Sequence, residues 1–218
     1  MVILRNALLC IGLGSVVLNA SAHELWLERD ASGPIRVYLG EPDEGVLETG
    51  ETIAALAPTT QVFTHDRNAT AKVVAREDHL EAAVNEQGDV RSYNDQVWKP
   101  WKDEQGHYTA ALMHARAGRT ETKALLDYEL VPAAANSNRF TLLFKGKPLA
   151  EHDVVLFDPR NQALKLKTDS QGVVDVPAKE KGRFILASGY QTPANGYEVA
   201  GQKMDNLYYG TTTSFIVD

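Results

Sequence analysis

"RFTLLFKGKPLAEHDVVLFDPRNQALKLKTDSQGVVDVP" (residues 139–177) decides the fold. It is a run of short apolar stretches broken by turn-forming text. "RFTLLFK" (139–145) meets "GKPL", and "HDVVLFD" (152–158) meets "PRNQ". "ALKLKT" (163–168) alternates apolar and polar residues before "DSQG". Such alternation puts one face of a strand inward and the other outward. Gly, Pro, Asn and Asp at the breaks supply the backbone geometries that tight turns need. "VVDVP" and "GRFILASG" continue the pattern. The spacing predicts, over 138–218, an antiparallel β-sandwich of roughly seven strands. Its type is immunoglobulin-like or transthyretin-like.

Upstream, "VPAAANSN" (131–138) reads as a linker or a long turn. Before it, residues 23–131 read as a β-rich N-terminal domain with short helical insertions. "HELWLER" (23–29) and "PIRVYLG" (34–40) are strands around the turn "DASG". "TGETIAALA" (49–57) is a short helix or an irregular arm, and "TTQVFTHD" and "TAKVVARE" pair around "RNA". "EDHLEAAVNE" (77–86) has good helix formers and no breaker, so it is the best helical patch. "GHYTAALMHA" (106–115) and "TKALLDYELV" (122–131) are strands joined by "RAGR". No heptad, long amphipathic helix or repeat interrupts this mainly β text.

The first residues differ in kind. Arg5 is the one charge before the apolar stretch "ALLCIGLGSVVL" (7–18), and Ala20 and Ala22 are small. Residues 1–22 therefore read as a signal peptide cut after Ala22, which places the working protein in the periplasm. The stretch is shorter than the ~20 residues of a membrane span, and none follows. Cys10, the only cysteine, leaves with the leader, so no thiolate metal site is built. The net charge of −7 disfavours nucleic acid and anionic lipid as partners and tolerates cations.

Cleavage there makes His23 the first residue. Its freed α-amine, with a pKa of about 8, and its ring Nδ1 close a chelate on one metal ion. Amine and imidazole suit Cu(II) first, with Ni(II), Co(II) and Zn(II) next. A second histidine opposite would complete a three-nitrogen site. His107 and His114 belong to one strand, seven positions apart, so only one of them faces His23. His107 is preferred slightly. His65, in the turn "FTHDRN", is a third candidate ligand, and Glu24 offers an axial oxygen or supports a ligand from behind. His79 reads as a solvated helix residue, His152 as structural, and Glu28 as an ordinary strand edge. Tyr190, Tyr208 and Tyr209 are half-buried packing residues or border a site. Trp98 and Trp101 bracket Lys99 and Pro100, and they either anchor their loop or line a groove for a sugar or a cation.

Several chemistries find no text. There is no Gly-rich phosphate loop, no His-Glu-x-x-His pair and no Gly-x-Ser-x-Gly elbow. "DSQG" is a turn, because the ligand spacing of a calcium loop is missing. Carboxylate pairs abound in any acidic chain and identify no glycosidase.

The opening "AHELWLE" and the long stretch from "FTLLFKGKPL" to "FILASGY" together resemble the bacterial exported proteins of domain-of-unknown-function family 4198. Members carry the label of periplasmic components of cobalt or nickel uptake. The resemblance implies divalent-metal handling, with the family's first histidine at His23. Relatives often have a histidine where this chain has Tyr190, and Arg-His or similar before the last Thr-rich strand, here "NLYYGTTTSFIV". Both departures favour a site around His23 over one between the two halves. The expectation is thus a non-enzymatic periplasmic protein that binds a divalent metal ion and buffers it or hands it to a membrane transporter component. The alternatives are a metal-free binding or scaffold module and, third, a copper oxidative enzyme by analogy with histidine-first polysaccharide monooxygenases.

Overall fold

In "YTAALMHARA" every residue after the first is buried, and the reason is that the strand is covered on both faces. Ala110 and Leu112 enter one apolar core. Ala111, Met113, Ala115 and Ala117 enter another. A strand buried on both sides belongs to a middle layer. The computed structural model describes residues 23–31 and 33–218. The expected leader and cleavage site lie outside them.

The first half of the described chain holds β1 (Glu24–Glu28), β2 (Ile35–Glu41), β3 (Val46–Leu47), the helix α1 (Glu51–Leu56), β4 (Gln61–Phe63), β5 (Val73–Ala75), β6 (Leu80–Ala82), β7 (Val90–Asn94), β8 (Trp101–Lys102) and β9 (Tyr108–Ala117). There follow β10 (Tyr128–Pro132), β11 (Arg139–Phe144), β12 (Lys147–Pro148), β13 (Asp153–Phe157), β14 (Ala163–Lys167), β15 (Val173–Asp175), β16 (Gly182–Pro193), β17 (Glu198–Val199), β18 (Gln202–Lys203) and β19 (Asn206–Val217). No helix among the described residues is long and apolar enough to cross a membrane.

The middle layer is an eight-stranded sheet in the order β14-β13-β16-β19-β9-β7-β4, with β8 on β9. On one side β10, β11, β12 and β15 form a four-stranded sheet. Phe140, Leu142, Tyr128 and Leu130 pack there against Phe184, Leu186 and Phe215. This pair of sheets is the sandwich that the alternation predicts. On the other side stands a five-stranded sheet, β1-β2-β6-β5 with β3 on β2.

"VPAAANSN" forms the end of β10 and the connection to β11, with Ala133 N–H bonded to the Arg139 carbonyl at 2.8 Å. The large sheet takes strands from both sides of that connection. Its seam is the pairing of β9 with β19, which is parallel, from Asn206↔Thr109 to Ser214↔Ala117. The sandwich is therefore not purely antiparallel. Two strands from distant parts of the chain run side by side in one direction, which no hairpin allows.

Three local expectations are corrected. Residues 77–86 are not helical. Leu80 and Ala82 are fully buried and alternate with Glu81, and β6 pairs with β5 around a turn in which Arg76 N–H bonds the His79 carbonyl. Burial at a period of two overrides helix propensity here. "TTQVFTHD" and "TAKVVARE" do not pair as strands either, since β4 joins β7 in the large sheet and β5 joins β6 in the five-stranded one. The third strand expected over 122–131 begins only at Tyr128. Residues 118–127 are instead held by buried charges. Arg116 bonds Asp89 and Glu129, Arg91 bonds Glu129 and Glu121, and the second Glu129 oxygen accepts from Leu125 and Leu126 N–H. Arg91, Arg116 and Glu129 have no exposed surface.

Candidate metal centre

β1 is an edge strand, and an open edge leaves alternate backbone groups unpaired. Here the edge is turned down onto β19. Thr212 Oγ1 donates to the Leu25 carbonyl at 2.8 Å, and Ser214 Oγ donates to the Leu27 carbonyl. Leu25 and Leu27 lean against β9, while Trp26 leans the other way onto Phe157, Ile185 and Ala187. This accounts for the buried Thr212 and Ser214 of "TTTS" in β19, whose hydroxyls cap the edge, while Thr213 Oγ1 donates to the Leu130 carbonyl on the other face. Each buried leucine contributes about 2 kcal/mol. The start of the described chain is thereby held firmly.

His23 comes directly before this strand, opposite Glu41 on β2. Its Nε2 lies 2.8 Å from Glu48 Oε1, and its Nδ1 lies 3.5 Å from Glu41 Oε1. The ring is 34% exposed, so solvent reaches it. Glu48 is brought in by β3, and its N–H bonds the Leu39 carbonyl at 2.8 Å. Gly40 lets β3 lie so close, because a Cβ there would sit 2.1 Å from the Val46 carbonyl oxygen.

The other expected ligands are not gathered around His23. Strand alternation sends Glu24 to the opposite face of β1. Burial pushes its carboxyl up to about 8, with the charge of Asp43 adding to the effect. Near it the Tyr208 phenol is pushed up to about 12, by burial and then by Glu24. His114 shares the face of Leu112, towards the four-stranded sheet, whereas β1 lies on the other face. Its Nδ1–H donates to the Gly210 carbonyl at 3.3 Å, and its ring lies between Tyr93 and Tyr209. Burial pushes its pKa down to about 4, so it is neutral. His107 is exposed, with Nδ1 3.2 Å from Asp103 Oδ2 in a local turn. His65 is 62% exposed and 3.5 Å from Glu121.

His79 is not on a helix. It sits in the β5–β6 turn, bonded to Asp78 and tilted on Tyr38. His152 Nε2 donates to the Gly189 carbonyl at 2.9 Å. Among the described residues, no three His, Cys, Asp or Glu side chains stand together as a ready metal cage. At His23 one imidazole and the carboxylates of Glu41 and Glu48 stand beside the backbone nitrogen.

Reading the sequence missed Glu41 and Glu48. Both stand in "GEPDEGVLE" (40–48), and the available signal was that a hairpin partner of β1 must place its last residue opposite position 23.

Comparison with curated proteins gives no match. A family model described as "Domain of unknown function (DUF4198)" matches residues 20–192, from just before β1 to near the end of β16. By that match over most of its length, this chain belongs to the DUF4198 family.

Proposed function

We propose that this protein binds a divalent transition-metal ion at His23 as cargo, in the periplasm after loss of its leader, and buffers it or passes it to a membrane transporter component. The observation that carries this reading is the setting of the His23 ring. With Nε2 held on Glu48 at 2.8 Å, Nδ1 is the ring nitrogen left to take a metal ion, and it faces Glu41. Ligation through one ring nitrogen with a carboxylate held on the other is the usual state of a metal-binding histidine. Cleavage after Ala22 adds an amine on the same residue, which closes a chelate with Nδ1. The 3.5 Å gap between Nδ1 and Glu41 Oε1 would leave both atoms within reach of one ion. Cu(II) binds such a set most tightly, and Ni(II), Co(II) and Zn(II) accept it. Glu41 replaces the second histidine expected from the sequence, and Glu48 orients the ring.

The test is calorimetric titration of the processed chain with each of the four ions, beside a form carrying one extra alanine ahead of His23. One tight site, weakened by about tenfold or more in the extended form, is expected. Equal affinity in both forms overturns the reading. A metal-free binding module is the second reading, favoured by the aromatic cleft described next. Unchanged thermal midpoints with all four ions would support it.

A further inference from the structure

A second concave site lies on the connection between β7 and β8, facing the β17–β18 hairpin. It is a cleft of about 590 Å³ whose walls include Asp95, Trp98, Lys99, Pro100, Tyr197 and Glu198. Trp98 is packed on one apolar core and Tyr197 on the other, so both rings are fixed in place. Asp95 is set by its neighbour Asn94, a buried residue whose amide bonds Thr59 and Thr60 and whose carbonyl oxygen accepts from Gln96 N–H.

The Asp95 carboxylate is the informative group. Its Oδ2 accepts from the Tyr93 and Tyr197 hydroxyls at 3.3 and 3.4 Å, both long for O–H···O bonds. Among the described residues Oδ1 accepts no hydrogen bond, and no Lys or Arg nitrogen forms an ion pair with Asp95. The nearby guanidinium, Arg67, lies over the Tyr93 ring at 4.1 Å instead. Glu198 adds a second negative charge against the single positive charge of Lys99. Burial, and then the charge of Asp95, hold both phenols above the usual tyrosine range, so they remain neutral donors.

We propose that this cleft binds a small organic cation, an alkylammonium or guanidinium compound, between the aromatic rings of Trp98 and Tyr197 with its charge on Asp95. Aromatic faces attract cations through the ring quadrupole, and an unpaired carboxylate selects charge over shape. A sugar would find the same rings and the Lys99 donor, but a neutral ligand leaves the two charges of Asp95 and Glu198 unanswered, as an organic cation does not. The site does not depend on the metal reading at His23.

The test is calorimetry on the processed chain with choline, its neutral isostere 3,3-dimethylbutan-1-ol, agmatine and maltose. Choline or agmatine should bind at one saturable site, with the isostere weaker by about tenfold. D95N should weaken the cation and abolish its advantage over the isostere. Y197F should keep the affinity with a wild-type thermal midpoint, and Y197A should lose it when titrated well below its own, lowered midpoint. An extra alanine ahead of His23 should change nothing. Binding by neither cation, equal binding of choline and the isostere, binding of maltose in their place, or full affinity in D95N overturns the proposal.

Discussion

His114 shows what burial does to one ring. Its folded pKa of about 4 lies below the unfolded value of about 6.5. Above pH 6.5 neither state carries the proton, and stability does not depend on it. As the pH falls from 6.5 towards 4, the unfolded chain takes up a proton that the folded one refuses, and up to about 3 kcal/mol is lost. Chemical denaturation of H114Q between pH 7 and 4.5 should show a flatter decline than wild type. At His23 the question is orientation. E48Q keeps the shape but weakens the acceptor that fixes the ring, and should reduce Cu(II) affinity by about tenfold in calorimetry. E41Q, which alters a donor, should reduce it at least as much. That His23 begins a held strand was legible in the sequence. Its carboxylate partners were not, because they depend on which residues of β2 and β3 fall opposite it.

The strands themselves were the most legible level. "HELWLER" with "PIRVYLG", and the series from 139 to 189, form the strands that alternation implies, and β1 pairs β2 with Trp26 opposite Tyr38. Two kinds of element were not legible. "EDHLEAAVNE" has helical composition but lies where an inner strand of the five-stranded sheet buries alternate residues. "TTTS" reads as an ordinary strand, and its role as a cover for β1 needs the β1–β19 contact to be known. That role is testable. T212V removes the hydroxyl at the Leu25 carbonyl and should cost about 1 kcal/mol in chemical denaturation, with faster amide exchange along β1. G40A should move β3 outward, detach Glu48 from His23 and lower metal affinity without unfolding the large sheet.

At the scale of the molecule, charge and connectivity hold the layers together. Glu129 joins Arg91 and Arg116, and Asp89 takes the other side of Arg116, with all four buried. E129Q would leave two buried guanidiniums short of a charge and should destabilise the protein by about 3–5 kcal/mol, read by denaturant unfolding. In the sequence, Arg91 and Arg116 stand in apolar strand text as an unread signal, because nothing local says where their carboxylates come from. The seam between β9 and β19 makes a similar point for the whole chain. A fragment of residues 138–218 would lose the parallel neighbour of its last strand and should show no cooperative unfolding transition, whereas the full chain should unfold in one step.

The bond from Thr212 to Leu25 spans 187 positions. A polypeptide delivered amino end first exposes its opening segment long before the segment that will receive it has emerged. Until the final dozen residues arrive, that opening segment can pair with β2 but lacks the hydroxyls that close its other edge.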